Sequence, residues 1–196
     1  MYPLIINFSP IYFYMFINFN KYITNKKLSR NYCSFFHILG CLFLSMIYFI
    51  YNNKLIFDIN ILFSIGYFIF DTMYILQYNN YNLYNISLLY HHFAIIYLLH
   101  YDHIIYQTHN ILLLGEISNI PSNIVYYCIH TKNNKYMNEL KYIQKYVYLV
   151  IRVIFYSYII FERLYFLINN NYSLIPIIIS FPVYIMGLIW SYKLIL

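Results

Sequence analysis

Long apolar stretches alternate with short polar clusters along the whole chain. Seven such stretches can be separated, near residues 3–20, 32–51, 55–77, 83–100, 104–129, 145–168 and 173–195. Each is close to the ~20 residues that an α-helix needs to cross the hydrocarbon core of a bilayer. The pattern therefore predicts an all-α fold, a multi-span transmembrane helical bundle with one helix for each stretch.

Composition supports this interpretation and limits the number of domains. Hydrophobic residues make up 62% of the 196 residues and charged residues only 9%, whereas roughly 25% of the residues in a soluble domain are charged. Seven spans with short connections leave no room for a separate soluble domain, so residues 1–196 are expected to form one transmembrane domain. The first stretch has no basic residue before it and no small-residue cleavage signal after it, which favours a retained span over a removed signal peptide.

The distribution of basic residues predicts the orientation in the membrane. Cytoplasmic connections of membrane proteins carry an excess of Lys and Arg. With seven spans, one side of the membrane receives only Lys54 and Arg163. The other side receives Lys21, Lys26, Lys27, Arg30, Lys132, Lys135, Lys141, Lys145 and Lys193. This second side, which includes the C-terminus, should be cytoplasmic, and the N-terminus should be lumenal.

This topology brings polar side chains from five helices to a similar depth. At ~1.5 Å per residue they lie roughly 8 to 13 Å below the cytoplasmic surface. The members of this predicted polar level are His37, Asp71, His91, His92, Asn123 and Arg152. Charged groups this deep in a membrane usually face a protein interior or a wet cavity and mark function.

Two interpretations of the charged residues stay open. Asp71 and Arg152 could form a structural ion pair that locks two helices together. Alternatively, they belong to a site, because the adjacent His91 and His92 add a capacity for proton transfer or nucleophilic attack that an ion pair does not need. Neighbouring helical residues diverge by about 100°, so only one of the two imidazoles should face the cavity.

The fifth stretch carries a polar stripe. Glu116, Asn119 and Asn123 are spaced i, i+3, i+7 and therefore share one face of a helix. Pro121 lacks an N–H and should kink the helix at this stripe. These polar residues are candidates for substrate binding, or else for the close helix packing through small and polar residues that is common in membrane bundles.

The second stretch contains Cys33, His37 and Cys41 at intervals of four residues. A close helix contact that includes His37 is as compatible with this spacing as a role in a binding site. No metal site is expected, because adjacent histidines make poor joint ligands and the cysteines lack the paired short spacing of zinc sites.

In this order along the chain, these residues resemble the TLC domain, a family that includes ceramide synthases, translocon-associated membrane proteins and smaller TLC-domain lipid proteins. The most specific part is Gly-Tyr-Phe-x-x-Asp, then His-His, then Glu-x-Ser with an Asn seven residues after the Glu. The matching pieces are Arg30-Asn31, His37, Gly66 to Asp71, His91-His92, Glu116 to Asn119, Asn123, Arg152 and Trp190.

The resemblance implies six helices in a barrel-like core around a lipid-accessible cavity, in the endoplasmic reticulum or a related membrane. Its function would be in lipid metabolism or homeostasis, as an N-acyltransferase of ceramide synthase type that uses acyl-coenzyme A as co-substrate and no bound cofactor. One of His91 and His92 would then act as nucleophile or general base, with Asp71 as an orienting acid. Substrate would be bound by residues of the other helices, namely His37, Glu116, Asn119, Asn123 and Arg152.

The resemblance also implies an alternative. Ceramide synthases carry His-Asp and a further Asp where this chain has Gly115-Glu116 and Asn119, and the Glu-x-Ser run is closer to the smaller TLC-domain proteins. Under this alternative the chain is a non-catalytic lipid-binding protein that sets phospholipid composition. In both cases the partners are membrane lipids, namely a sphingoid base, fatty acyl chains or phospholipid, and no nucleic acid. A homo-oligomer is left open, and the cytoplasmic lysines would meet either coenzyme A phosphates or anionic lipid headgroups.

Overall fold

A computed structural model describes residues 8–23, 25–78, 82–101, 107–133 and 135–195 of the chain. Within these residues it has seven helices and no strands, which confirms the all-α prediction. The helices are α1 (Ser9–Tyr22), α2 (Lys26–Tyr51), α3 (Lys54–Tyr78), α4 (Leu83–Tyr101), α5 (Gln107–Thr131), α6 (137–169) and α7 (Ile175–Ile195). Helix α6 runs without a break through Met137–Tyr148, a π-helical segment Leu149–Phe155 and Tyr156–Asn169.

Two helices begin earlier than the hydrophobic pattern predicts. Helix α2 begins at Lys26 rather than near 32, and α6 begins at Met137 rather than near 145. In both cases the added turns are polar, because a hydrophobic stretch marks only the apolar part of a helix and polar turns can extend it. The predicted starts near 3 and 104 lie outside the described residues.

Three helical stretches are long and apolar enough to cross a membrane, namely Lys26–Tyr51, Lys54–Tyr78 and Ile175–Leu194. A shorter apolar stretch is Leu83–Leu99 in α4. On α2, Phe43, Met46 and Phe49 are each more than half exposed. Exposed apolar surface of this kind marks contact with a membrane or with another protein.

A two-residue connection joins α2 to α3. Asn52 ends α2 in the left-handed conformation, with φ 45° and ψ 41°, which asparagine tolerates better than most residues. The Asn53 side chain then accepts a hydrogen bond from the backbone N–H of Leu55 at 2.8 Å. This bond satisfies one of the free donors at the start of α3. Two consecutive asparagines therefore suffice to end one helix and begin the next.

The chain divides into two compact units, residues 1–85 and 86–196. The first unit has an aromatic core in which Tyr12 of α1, fully buried, contacts Phe63, Tyr67 and Phe70 of α3. At Gly66 an added Cβ would come within 2.9 Å of the backbone N of Ser9. The start of α1 therefore lies directly on the backbone of α3, an approach that the absence of a side chain at this position allows.

The second unit joins its helices through side-chain hydrogen bonds. The Tyr90 hydroxyl of α4 donates to the Ile179 carbonyl of α7 at 3.1 Å. The Ser157 hydroxyl of α6 and the Tyr184 hydroxyl of α7 are 2.7 Å apart. Interhelical bonds of this kind are common in membrane bundles, where lipid tails are as apolar as the side chains and the hydrophobic effect does not drive helices together.

Candidate functional site

The histidine pair, His91 and His92, lies in the middle of α4 within the second unit. His92 is 4% exposed, whereas His91 is partly exposed. Their ring centroids are 5.8 Å apart with an interplanar angle of 57°. The two imidazoles have different surroundings, as the helical geometry predicts for adjacent residues.

Trp190 of α7 packs edge-to-face against His91, with ring centroids 6.3 Å apart. The neighbouring Tyr90 is hydrogen-bonded to the α7 backbone, so α7 borders the histidine pair. The sequence predicts Trp190 as one piece of the family pattern and as an interfacial anchor at the cytoplasmic end of the last span, without a role in the site. Its contact with His91 could not be predicted, because no helical periodicity relates two residues so far apart in the chain.

Arg152 is the centre of a second polar group, the Arg152 cluster, which consists of Arg152, Glu116, Ser118 and Asn119. Arg152 is 6% exposed. Its Nε donates to the Ser118 hydroxyl at 2.7 Å, and its Nη2 donates to the Asn119 side-chain carbonyl at 3.1 Å and to the Gly115 carbonyl at 3.3 Å. A buried guanidinium needs such partners, because unpaired buried charge is strongly destabilising.

The carboxylate of the cluster comes from Glu116, which is 5% exposed. The Asn119 side-chain amide donates to Glu116 Oε2 at 3.5 Å while its carbonyl accepts from Arg152. Asn119 thus connects the acid to the guanidinium, and Glu116 also interacts electrostatically with Arg152. Glu116 and Asn119 thus lie on one face of α5, as their spacing in the sequence predicts.

Asn123, the third member of the predicted stripe, has a contact within its own helix. Its side-chain amide donates to the Asn119 carbonyl at 3.0 Å. Pro121, two residues before it, lies inside α5 and has no N–H for the helical ladder. The hydrogen bond of Asn123 therefore stabilises α5 one turn beyond the Arg152 cluster.

Two tyrosines of α6 cover the guanidinium. Arg152 Cζ lies 5.5 Å from the ring centroid of Tyr148 and 5.2 Å from that of Tyr156, close enough for cation–π attraction. The two tyrosines lie four residues before and four residues after Arg152 in the chain. Arg152 itself belongs to the π-helical segment Leu149–Phe155. Short π-helical segments within longer helices are frequent at functional sites.

The first unit holds Asp71, and the structure gives it a partner that the sequence interpretation did not. Arg30 of α2 forms a salt bridge to Asp71 of α3, with Arg30 Nε at one carboxylate oxygen and Nη2 at the other, the latter at 2.6 Å. The Asp71 side chain is 2% exposed. Arg30, expected among the cytoplasmic basic residues, thus pairs with Asp71. The pairing of Asp71 with Arg152 considered from sequence stays a prediction, because the two residues belong to different units.

His37 lies in the core of the first unit and is fully buried. Its ring stacks on Tyr67 with centroids 4.2 Å apart. Its Nε2 is 3.1 Å from Cys41 Sγ, which in turn is 3.1 Å from the Ser64 hydroxyl. The close helix contact that the cysteine and histidine spacing allows is therefore present, and His37 takes part in it.

The predicted polar level has members in both units. His37 and Asp71 belong to the first, and the other members belong to the second. The level across five helices, and the role of Asp71 as an orienting acid for the histidines, stay predictions. Among the described residues, no three His, Cys, Asp or Glu side chains are grouped so that they could hold a metal ion.

Comparison with known proteins adds no relative. No family model matches the chain, and no curated protein and no solved structure matches it. The functional interpretation therefore rests on the residues themselves and on the sequence resemblance that they carry.

Proposed function

We propose that the protein is a multi-span membrane protein of the endoplasmic reticulum with a lumenal N-terminus and a cytoplasmic C-terminus. Three helical stretches with the length and apolarity of membrane spans support this proposal. The concentration of lysines on one side supports the orientation. Its helices would include a barrel-like core of six, as in the TLC domain that the sequence resembles.

Within that membrane, the proposed function is N-acyl transfer from acyl-coenzyme A to a lipid amine such as a sphingoid base. The observation that carries it is the histidine pair, in which His92 is buried and His91 packs against Trp190. An imidazole in an otherwise apolar helix is suited to move a proton near neutral pH. Lipid amines and acyl chains are also the substrates that an apolar helical surface can admit.

The reaction needs one proton acceptor that later serves as a donor. The amine nitrogen attacks the thioester carbonyl carbon, and the neutral imidazole of one histidine accepts the N–H proton as the C–N bond forms. The carbon–sulfur bond then breaks, and the coenzyme A thiolate leaves and takes the proton from the imidazolium. The products are an amide and the free thiol, and the histidine returns to its neutral state.

The test is lipidomics of cells that express the wild type, His91→Gln, His92→Gln or the double variant. We expect the change in N-acylated lipid caused by the wild type to fall at least about 100-fold in one single variant, since general base catalysis contributes roughly that factor. The matched control is His130→Gln, a histidine of α5 whose ring contacts Tyr126 and which is not in the pair. Full activity in both single variants, at equal protein abundance, would rule out the acyl transfer.

A non-catalytic lipid-binding function is the second candidate, and the Arg152 cluster favours it. Two guanidinium nitrogens of Arg152, Nε and Nη2, donate to groups of the protein, and both oxygens of Asp71 are engaged by Arg30. Charges arranged in this way hold the helices of each unit in place without taking part in chemistry. Under this function the double histidine variant still alters phospholipid composition, and the same lipidomics experiment separates the two candidates.

A further inference from the structure

The start of α6 and the connection before it carry an exposed group of lysines and tyrosines, which we name the Lys–Tyr patch. Its members are Lys132, Lys135, Tyr136, Lys141, Tyr142 and Tyr146, and all six are exposed. The three tyrosines are 58%, 61% and 45% exposed. Neither the histidine pair nor the Arg152 cluster uses any of these side chains.

The first turns of α6 have two distinct faces. On the inner face, Tyr148 is buried and the Gln144 side-chain amide donates to the Ser122 hydroxyl of α5 at 3.1 Å. Tyr142 and Tyr146 lie on the opposite face, since they are displaced from Tyr148 by more than a quarter turn at 100° per residue. The Lys–Tyr patch therefore points away from the core of its own unit.

Aromatic and cationic groups alternate within the patch. The Tyr142 hydroxyl donates to the Tyr146 hydroxyl at 3.0 Å, and their ring centroids are 4.4 Å apart. The ammonium of Lys135 lies 5.1 Å from the ring centroid of Tyr136. Between residues 132 and 146 the chain has four lysines and one acid, Glu139. This surface is strongly complementary to negative charge.

Its position matches the surface of a bilayer. With the span predicted to begin near residue 145, at ~1.5 Å per residue Lys141 and Tyr142 would lie roughly 5 Å outside the hydrocarbon core, in the headgroup layer. Tyrosines are enriched at this level, and juxtamembrane lysines attract anionic phospholipids. We infer that the Lys–Tyr patch binds the phosphate groups of anionic phospholipids in the membrane leaflet; the inference rests on the membrane location proposed above.

The shape of the patch selects a lipid surface over coenzyme A. Sites for small molecules are concave and enclose most of the ligand. The helical part of the patch instead lies on the outer face of α6, and Tyr142 and Tyr146 there contact each other. A bilayer surface offers many phosphates to such a face, whereas a single soluble nucleotide would have contacts on one side only.

The test measures lipid selectivity of the full chain in bilayers. Protein is reconstituted in phosphatidylcholine vesicles, and electron spin resonance gives the association of spin-labelled phosphatidylserine relative to spin-labelled phosphatidylcholine. We expect the wild type to prefer phosphatidylserine roughly fivefold, the factor that corresponds to one lysine near a membrane surface, and the preference to fall with salt. The triple variant Lys132→Gln, Lys135→Gln, Lys141→Gln should lose the preference.

A matched control removes the same charge elsewhere. Lys21→Gln, Lys27→Gln, Lys193→Gln changes three exposed lysines outside the patch and should keep the preference. Because a triple variant can fail to fold, Glu139→Gln provides a gain of function that should increase the preference. Equal loss in both triple variants, no preference in the wild type, or displacement of phosphatidylserine by free coenzyme A would each overturn the inference.

These outcomes are separate from those of the proposed function. The measurement reports lipid association, so loss of acyl transfer in the histidine variants does not affect it. Failure of the wild type to enter vesicles at all would overturn the membrane location, and the inference with it. Entry into vesicles without selectivity would overturn only the role of the Lys–Tyr patch.

Discussion

At Gly115 the backbone of α5 lies against the side chain of Tyr156 on α6. A Cβ at this position would be 2.8 Å from the Tyr156 hydroxyl oxygen, which donates a hydrogen bond to the Ile111 carbonyl at 3.1 Å. The Gly115 carbonyl also accepts from Arg152 and from Ser118. At the scale of single residues, glycine here allows the two helices to approach closely enough for Arg152 to reach its partners.

Gly115→Ala should therefore destabilise the protein by about 2 kcal/mol, as overpacking of a filled interior does. Tyr156→Phe removes the atom that clashes and costs about 1 kcal/mol through the lost hydrogen bond. The double variant should be more stable than the sum of the two effects predicts, because the clash and the hydroxyl disappear together. Unfolding by denaturant in mixed micelles measures all three, and strictly additive effects would contradict this account of Gly115.

At the scale of elements, α2 and α3 are joined at both ends by different means. At one end Asn52 and Asn53 form the tight connection. Toward the other, Arg30 and Asp71 form the salt bridge, with the carboxylate 2% exposed and the guanidinium side chain 26% exposed. Between them, the Asn60 side-chain amide donates to the Ser45 hydroxyl at 3.0 Å. The register of the two helices is thus determined by polar contacts as well as by aromatic packing.

Removal of either partner of the salt bridge should be costly. Arg30→Met or Asp71→Leu alone should destabilise the protein by about 3 kcal/mol, because each leaves a charge without its partner in a largely buried position. The double variant Arg30→Met, Asp71→Leu should recover most of this loss, since two apolar side chains of similar volume then face each other. Size-exclusion chromatography of heated samples in detergent gives the midpoint of thermal unfolding for the two single variants and the double variant. A double variant less stable than both single variants would argue for a function of the charges beyond structure.

At the scale of the whole molecule, orientation in the membrane connects the proposals. The Lys–Tyr patch, the histidine pair and Trp190 would all belong to the cytoplasmic half of the bilayer if the lysine-rich side is cytoplasmic. The lumenal side would then have few basic residues, with Lys54 as an exposed one. The predicted polar level depends on this orientation, because its depth is a distance from the cytoplasmic surface.

A reporter fused after Leu196 tests the orientation. A reporter that is active only in the cytoplasm should be active there, and a glycosylation acceptor at the same position should stay unmodified. The matched control places the same reporter in the connection at Asn52 and Asn53, on the predicted lumenal side, where the two results should be reversed. A modified acceptor after Leu196 would show that the depth count, and with it the polar level, is wrong.

Sequence predicted some features of the candidate site and not others, for reasons that particular residues show. Contacts within one helix followed from spacing, such as Glu116 with Asn119 and His37 with Cys41, because 3.6 residues per turn determine which side chains meet. Contacts between helices did not follow. Asp71 pairs with Arg30, and His91 contacts Trp190, and no local pattern relates the members of these pairs.

The sequence by itself determined that the chain is helical, roughly where its helices lie, and that at least three stretches have the character of membrane spans, because these properties depend on composition and periodicity over short distances. Only the tertiary structure decided that Asp71 binds Arg30, that Arg152 is enclosed by Ser118, Asn119 and two tyrosines, and that the tyrosines at the start of α6 face outward. The physical reason is that pairing between helices depends on how their faces rotate and approach in space. Small residues such as Gly115 allow that approach, and the hydrophobic pattern of the sequence carries no information about it.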